Sequence, residues 1–178
     1  MNVRVLTPAE VREKVPELAA ILADCVAGGA SVSFMAPYTE NDARGFFERI
    51  ADAAEKGMVS VLVAEIDGVA MGTVQVAYDM PPNQPHRGDI RKLLVHRKAR
   101  RRGLARALMI AAEKEAAARG RPLLVLDTAS DGAERLYTDL GWQRVGVIPD
   151  YALLPGGGYC DTIYFYKRVG PLPRANIR

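Results

Sequence analysis

Some segments of this chain carry apolar residues at helical spacing, and others are short runs rich in β-forming residues. The run Thr7-Pro8-Ala9-Glu10 supplies an N-cap, a proline at the first helical position and a capping-box glutamate, which together predict a helix start. Apolar positions continue at helical spacing to Cys25, and Gly28-Gly29 is expected to end this first helix. A second helix is predicted from Thr39 to Gly57.

The middle of the chain is predicted to form antiparallel strands. Two β-rich runs, 59–66 and 69–78, flank Asp67-Gly68, a dipeptide that suits the positive φ angles of a type I′ turn. A proline-containing break follows, after which the extended pattern resumes from Asp89 to His96. These runs predict a hairpin and a third strand.

The second half predicts a strand-helix-strand crossover and a closing strand pair. A helix is expected from Leu104 to Arg119, and a continuous apolar strand, buried and parallel to the preceding one, from Leu123 to Asp127. A short helix should end at Gly141, and segments 142–148 and 162–167 should pair across a glycine-rich excursion. The order predicts an α+β fold with one crossover.

Length and composition fit one folded domain. The 178 residues favour a single domain over 1–169, with a loose C-terminal tail over 170–178. About half of the residues are apolar and the net charge is +3, so charge balance does not favour nucleic acid as a partner. No membrane span or signal pattern is visible, and Cys25 and Cys160 lie too far apart to set a metal or disulfide pattern. We therefore expect a cytoplasmic protein with no metal.

The most informative motif is the basic loop at 100–106, between a strand and a helix. Gly103 and Ala105 carry little side chain, so their amides can approach an anion closely. Helix N-terminal amides and arginine side chains also favour phosphate there. A solvated basic loop is the alternative, as is a nucleic-acid module, although no aromatic residues are interleaved with the arginines.

Two motifs resemble the GNAT family of N-acetyltransferases. Its acyl-CoA motif, Gln or Arg, any two residues, Gly, any residue, Gly or Ala, is matched by Arg100, Gly103 and Ala105. The later Leu136-Tyr137 and Leu140-Gly141-Trp142 are similar to a second family signature. The resemblance implies a mixed, mostly antiparallel sheet of about seven strands with helices on both faces. It also implies acetyl-CoA as the cosubstrate.

Residues expected to contact acetyl-CoA come from the strand before the motif, the motif itself and the following helix. They are Leu94, Val95, Arg100, Arg101, Arg102, Gly103, Leu104, Ala105, Arg106, Ser130 and Tyr137. Ser130 stands where the family commonly has an asparagine. The backbone N–H of Val95, or of its neighbour Leu94, is the candidate donor to the reaction's oxyanion.

Within the family, the chain is most similar to the tabtoxin-resistance branch, which acts on an amino-acid-like toxin. The loop 28–35 and the strand end at 126–128 carry this likeness. It implies that Asp127 and Tyr137 are a catalytic pair, although the segment between them is one residue shorter here. It also implies an acceptor site at Gly29, Ala30, Ser31, Phe34 and Asp127.

The chemistry of acetyl transfer gives each of these residues a role. The attacking amine must lose a proton, and Asp127, at the end of an apolar strand, would become a stronger base through burial. A helix cap or a salt bridge is the alternative role for this carboxylate. The Tyr137 hydroxyl could protonate the leaving thiolate, or Tyr137 could be a core residue. We assign no role to His86 or His96.

These observations favour direct acetyl transfer to a primary amine of a small molecule, such as an amino-acid-like toxin or antibiotic. One alternative is a CoA-binding sensor or interaction module without turnover, and another is an acetyltransferase of a protein or peptide amine. Asp79, Asp161 and Tyr151 could meet a cationic or zwitterionic acceptor. We expect a monomer or homodimer with no nucleic-acid or membrane partner.

Overall fold

The computed structural model describes residues 1–173 of the chain. Within that range, seven strands form one sheet and five helices cover its faces. The strands are β1 (Asn2–Val5), β2 (Val59–Ile66), β3 (Val69–Ala77), β4 (Arg87–Val95), β5 (Leu123–Thr128), β6 (Gln143–Leu153) and β7 (Tyr159–Arg168). The helices are α1 (Pro8–Glu13), α2 (Val15–Ala27), α3 (Glu40–Glu55), α4 (Leu104–Ala118) and α5 (Asp131–Asp139).

The sheet has the order β1-β2-β3-β4-β5-β7-β6. Neighbouring strands are antiparallel except for β4 and β5, which are parallel and joined through α4. This arrangement confirms the predicted α+β class, the mostly antiparallel sheet and the single crossover. None of the helices in residues 1–173 is long and apolar enough to cross a membrane.

Local start and turn signals are confirmed. The Thr7 hydroxyl accepts from the Glu10 N–H at 3.3 Å, and the Glu10 carboxylate accepts from the Thr7 N–H at 2.8 Å, which completes the capping box. Asp67 and Gly68 have φ values of 52° and 81°, as a type I′ turn requires, and Ile66 pairs with Val69 across it.

The prediction of one continuous first helix is wrong, because the helix breaks at Lys14 (φ −90°, ψ 5°). Pro16 has no N–H to donate to the Arg12 carbonyl, and its ring crowds that carbonyl. The chain therefore closes α1 at Glu13 and begins α2 at Val15.

The core has one hydrophobic cluster on each face of the sheet. Leu108 and Met109 of α4 pack on one face with Phe165, whereas Leu22 of α2 and Phe47 of α3 pack on the other. All five side chains are fully buried. The helices on both faces were expected, and they leave the ends of the central strands available for a site.

The continuous burial predicted for β5 is wrong. Leu124 and Leu126 are buried, whereas Leu123 and Val125 between them are only half-buried. Parallel pairing with β4 covers three positions and ends at Asp89–Val125, because the two strands then diverge. Beyond that point β5 pairs only with β7.

The closing strand pair is longer than predicted. Strands β6 and β7 continue almost to the glycines, so the expected excursion is a tight turn in which the Leu154 N–H donates to the Gly158 carbonyl at 2.9 Å. A register shift between Ile148 and Ala152, with Asp150 at φ 52°, lets the pairing continue past Pro149. Of the predicted tail, residues 174–178 lie outside the described residues.

Candidate active site

The divergence of β4 and β5 opens a cleft of about 1010 Å³ in the middle of the sheet. The residues that line the cleft include Arg100 and Ala105 of the basic loop and the loop 28–35 between α2 and α3. Asp127 and Tyr137 line the same cleft. The structure therefore places Arg100 and Ala105 of the predicted donor motif, the predicted catalytic pair and the acceptor loop on one cavity. The other motif residues, Arg101, Arg102, Gly103, Leu104 and Arg106, do not line it, and Leu104 packs in the core instead.

The basic loop forms a concave set of backbone donors. Arg101 and Gly103 both have positive φ, 60° and 82°, which turns successive amides toward one side. In the described part of the chain, the N–H groups from Arg101 to Arg106 donate to no protein acceptor. The first helical bond runs from the Ala107 N–H to the Gly103 carbonyl at 3.1 Å. Free amides at the positive end of α4 fit a diphosphate.

The arginine side chains of this loop divide into two groups. Arg100 Nε donates to the Val95 carbonyl at 3.3 Å, and Arg106 Nη2 pairs with Asp139 at 3.1 Å. Arg101 and Arg102 are exposed and form no ion pair with any described residue. Arg101 and Arg102 are therefore the side chains available to phosphate, whereas Arg100 ties the loop to β4.

The backbone of β4 distinguishes the two candidate oxyanion donors. The His96 N–H donates to the carbonyl of Met71 in β3 at 2.9 Å. Because N–H directions alternate along a strand, the Leu94 N–H also faces β3 and the Val95 N–H faces the cleft. The Val95 carbonyl on the same side accepts from Arg100 and from Cys25 Sγ at 3.6 Å.

Asp127 lies at the end of β5, where β4 has already diverged. The residue is exposed, so the expectation that Asp127 is buried is wrong. Asp127 Oδ2 accepts a hydrogen bond of 2.8 Å from the hydroxyl of Thr162, which is only 2% exposed. Within residues 1–173 it forms neither a salt bridge nor a helix cap, which removes its two alternative roles.

Tyr137 combines a buried ring with an available hydroxyl. The ring packs on Trp142 and Phe165, with centroids 6.0 and 5.6 Å away, and only 5% of the residue is exposed. Burial, together with the negative charge of Asp127, raises the pKa of Tyr137. Tyr137 lines the cleft, and its hydroxyl makes no hydrogen bond to a described residue. The hydroxyl therefore stays protonated and free to donate.

The loop 28–35 lines the cleft and contains the predicted acceptor residues apart from Asp127. Ser31 Oγ donates to the Leu153 carbonyl at 3.2 Å, which fixes the loop to β6. Just beyond it, the Ala36 N–H donates to the Pro155 carbonyl at 2.9 Å. The Phe34 ring stacks on Tyr38, 4.5 Å between centroids, and the remaining predicted acceptor residues, Gly29 and Ala30, also line the cleft.

Other sequence candidates are divided between the cleft and the remaining surface. Ser130 lines the cleft at the start of α5, and its hydroxyl caps no helix amide. Tyr151 and Asp161 also line it. Asp79 does not line the cleft and pairs with Arg91 at 3.4 Å. His96 does not line it either, and its Nδ1 accepts a hydrogen bond from the Lys98 N–H.

Sequence reasoning missed three cleft or near-cleft residues, Lys92, Thr162 and Tyr164. Lys92 sits on an irregularity of β4 and lines the cavity, a placement that no sequence motif indicates. Thr162 and Tyr164 reach Asp127 only through the β5–β7 register. The hydroxyls of Tyr164 and Tyr151 are hydrogen-bonded at 2.9 Å. This bond is the largest of the effects that raise the pKa of Tyr164 to about 12.

Comparison with known proteins agrees with this architecture. Residues 28–142 match the Acetyltransferase (GNAT) family, and the chain belongs to it. Acetyltransferase plu1384 of Photorhabdus laumondii subsp. laumondii is 41% identical over 76 residues, which are 43% of this chain and 50% of that protein. The chain thus aligns with about half the length of this relative. The family predicted from the Arg100 motif is confirmed.

Solved structures show the same fold over nearly the whole chain. The structure of yncA from Salmonella typhimurium with its cofactor acetyl-CoA has a TM-score of 0.81 at 18% identity, covering 100% of this chain and 99% of that one. An N-acetyltransferase from Staphylococcus aureus Mu50 has a TM-score of 0.79 at 18% identity, covering 95% of this chain and 98% of that one. At these identities the likeness establishes the fold.

Proposed function

We propose that this protein transfers an acetyl group from acetyl-CoA to a primary amine of a small molecule, by direct attack in a ternary complex. The observation that carries the proposal is the shared cleft. The free amides of Arg101 to Arg106 belong to the loop that contributes Arg100 and Ala105 to the cleft, and Asp127 and Tyr137 line the same cleft. A diphosphate held at the amides would direct the rest of the cosubstrate along the cleft toward Asp127.

Each residue would have a distinct task in holding the cosubstrate. The amides from Arg101 to Arg106 would bind the diphosphate, with the guanidinium groups of Arg101 and Arg102 adding charge. The Val95 N–H, on the open side of β4, would donate to the carbonyl oxygen as negative charge develops on it. When bound, acetyl-CoA supplies the thioester that the amine attacks.

The proton balance requires a base and a donor. An amine with an ordinary pKa of about 10 enters as an ammonium, and Asp127 takes one proton so that the nitrogen lone pair can attack. The N–C bond forms and the C–S bond breaks. A second proton then leaves the nitrogen. The sulfur receives a hydrogen bond and a proton through Tyr137 and leaves as the thiol of CoA. Overall, one proton is released to solvent.

A small acceptor is favoured over a protein or peptide. The contacts of Ser31 with Leu153 and of Ala36 with Pro155 close the loop 28–35 over the acceptor end, which a folded protein substrate would need open. The likeness of this loop to the tabtoxin-resistance acetyltransferase supports an amino-acid-like toxin or antibiotic, such as tabtoxinine, as the acceptor. We propose a resistance role on that basis.

Thiol release from acetyl-CoA, measured across a library of small amines, amino acids and lysine-containing peptides, tests the proposal. We expect turnover with a subset of the small amines and none with the peptides. Turnover only with peptides would overturn the small-molecule acceptor. Calorimetric binding of acetyl-CoA without turnover on any acceptor would overturn the enzyme and favour the CoA-binding sensor.

A further inference from the structure

Lys92 is a charged residue of the cleft to which the proposed reaction gives no role. It lies where the register of β4 against β3 shifts, so that Lys92 and Leu93 together face a single residue between Thr73 and Gln75. Its backbone has φ 52°, a left-handed conformation that costs a non-glycine residue free energy. Bulges of this kind re-aim a side chain, and here the Lys92 side chain lines the cavity.

The ammonium group of Lys92 is held without an anion. Its Nζ donates to Ser33 Oγ at 3.1 Å and lies 5.3 Å from the centroid of the Phe34 ring and 6.0 Å from that of Phe46. Among the side chains that the structure describes, no carboxylate forms an ion pair with Lys92. Burial lowers the pKa of Lys92, the charge of Arg91 lowers it further, and the charge of Asp127 opposes both.

Other half-buried lysines of this protein have carboxylate partners. Lys14 pairs with Glu17 at 3.1 Å and with Glu65 at 3.2 Å, and Lys167 pairs with Glu113 at 2.6 Å. A cation withdrawn from water is stabilised by an opposite charge with direct hydrogen bonds, and aromatic faces replace only part of that stabilisation. Lys92 lacks such a carboxylate partner among the described side chains. Because Lys92 lines the cavity, a bound ligand could supply the missing anion.

We propose that Lys92 binds the carboxylate of the acetyl acceptor, which makes the acceptor a small amino acid or a close analogue. This rests on the function proposed above. Asp127 receives the ammonium end of such a zwitterion, and Lys92 receives the other end, so the two side chains fix which amine faces the thioester. The two groups form no ion pair with each other, which leaves both charges to the substrate.

Matched substrate pairs with and without a carboxylate test this assignment. The pairs are L-serine with ethanolamine, β-alanine with ethylamine, and L-lysine with 1,5-diaminopentane. We expect the wild-type protein to prefer at least one amino acid by about tenfold or more in kcat/KM, as a charge-assisted hydrogen bond would give. Lys92→Met should abolish that preference through KM and leave the decarboxylated partner nearly unchanged. Lys92→Arg should restore part of it.

Controls separate the carboxylate contact from folding and from chemistry. Lys56→Met removes an exposed lysine that follows α3 and should leave the preference intact. Thermal unfolding midpoints of Lys92→Met should not fall, because the change removes an unpaired cation. Equal loss on both members of every pair would overturn the proposal and assign Lys92 to the chemistry, and an unchanged preference would overturn it as well.

Failure of the proposed activity has a different signature. If wild-type protein turns over none of these amines, calorimetry with the same amino acids and CoA decides between the two proposals. Binding that requires Lys92 would retain the carboxylate site and remove the acetyl-transfer role. Binding that is absent, or indifferent to Lys92→Met, would overturn the carboxylate site itself.

Discussion

The hydroxyl of Thr162 donates a 2.8 Å hydrogen bond to Asp127 across the β5–β7 pairing, and Thr162 is itself buried. The bond fixes the orientation of an otherwise exposed carboxylate at the cleft. A base that is open to solvent loses activity when it rotates freely, because the fraction of time spent in the reactive geometry falls. Thr162 is in this way a positioning residue for the proposed base.

Thr162→Val should lower kcat by about tenfold, the value of a hydrogen bond to a charged group, with little change in the KM for acetyl-CoA. The shape of the side chain is kept, so the thermal midpoint should change little. Thr162→Ser retains the hydroxyl and should recover most of the activity. Failure of the serine variant to recover it would mean that Thr162 acts through packing and not through the hydrogen bond.

Asp127→Asn should lower kcat by about 10²- to 10⁴-fold, because the amide cannot accept the ammonium proton. Calorimetric affinity for acetyl-CoA should stay within about twofold of wild type, since Asp127 shares no hydrogen-bond or ion-pair partner with the amide loop among the described residues. Asp52→Asn is the matched control, because Asp52 pairs with Arg12 on the surface and neither residue lines the cleft. A similar loss in both variants would point to general charge effects.

Tyr137→Phe should lower kcat by about ten- to a hundredfold while preserving stability. The ring contacts with Trp142 and Phe165 remain, and the hydroxyl has no hydrogen-bond partner in the described part of the chain. Steady-state thiol release and a thermal melt give the two readouts. Full activity of Tyr137→Phe would show that Tyr137 is not the proton donor and that water protonates the sulfur.

Gly103→Ala should weaken acetyl-CoA binding by about fivefold and destabilise the fold by about 1 kcal/mol. An added Cβ meets no atom within 4 Å, so the effect comes from the backbone, which has φ +82° there. Gly45→Ala, inside α3 and without such a φ, is the opposite case and should raise stability. If Gly45→Ala weakened acetyl-CoA binding as well, the weaker binding of Gly103→Ala could not be attributed to the amide loop.

Acid should destabilise the fold partly through Glu10. Hydrogen bonds from the Thr7 backbone and hydroxyl, then from Arg4, lower the pKa of Glu10 to about 2. Because the folded pKa lies below the unfolded one, this stabilisation is complete above the unfolded pKa and is lost as pH falls toward 2.

Glu10→Gln should therefore show a smaller fall in unfolding temperature between about pH 5 and pH 2 than wild type does. Glu48→Gln, an exposed position on α3, should follow the wild-type curve. Thermal melts across this range measure the difference. Parallel curves for wild type and Glu10→Gln would contradict the role of the capping box in acid stability.

Local signals explain why much of the fold could be predicted. Capping boxes, the Asp67-Gly68 turn and the Arg100 motif each depend on neighbours in sequence, so their geometry can be inferred without tertiary contacts. The helix break at Lys14 also has a local signal, which is Pro16. The apolar pattern continues through the break and therefore predicted a single helix.

The remaining site features depend on long-range geometry. Asp127 is exposed because β4 leaves β5 just before it, a divergence that no run of residues in β5 indicates. The Thr162 contact needs the register between residues 35 apart. Lys92 enters the cavity through a shift in pairing between two strands, which the sequence of either strand alone does not specify.

The parallel pairing of β4 with β5 has a consequence for the lifetime of the protein. Only three register positions join the backbone of β1–β4 to that of β5–β7. A molecule bound between them bridges the two halves, and a ligand that binds only the folded form lowers the open population in proportion to its concentration. Resistance of this chain to proteolysis would then rise with the concentration of the proposed acyl donor.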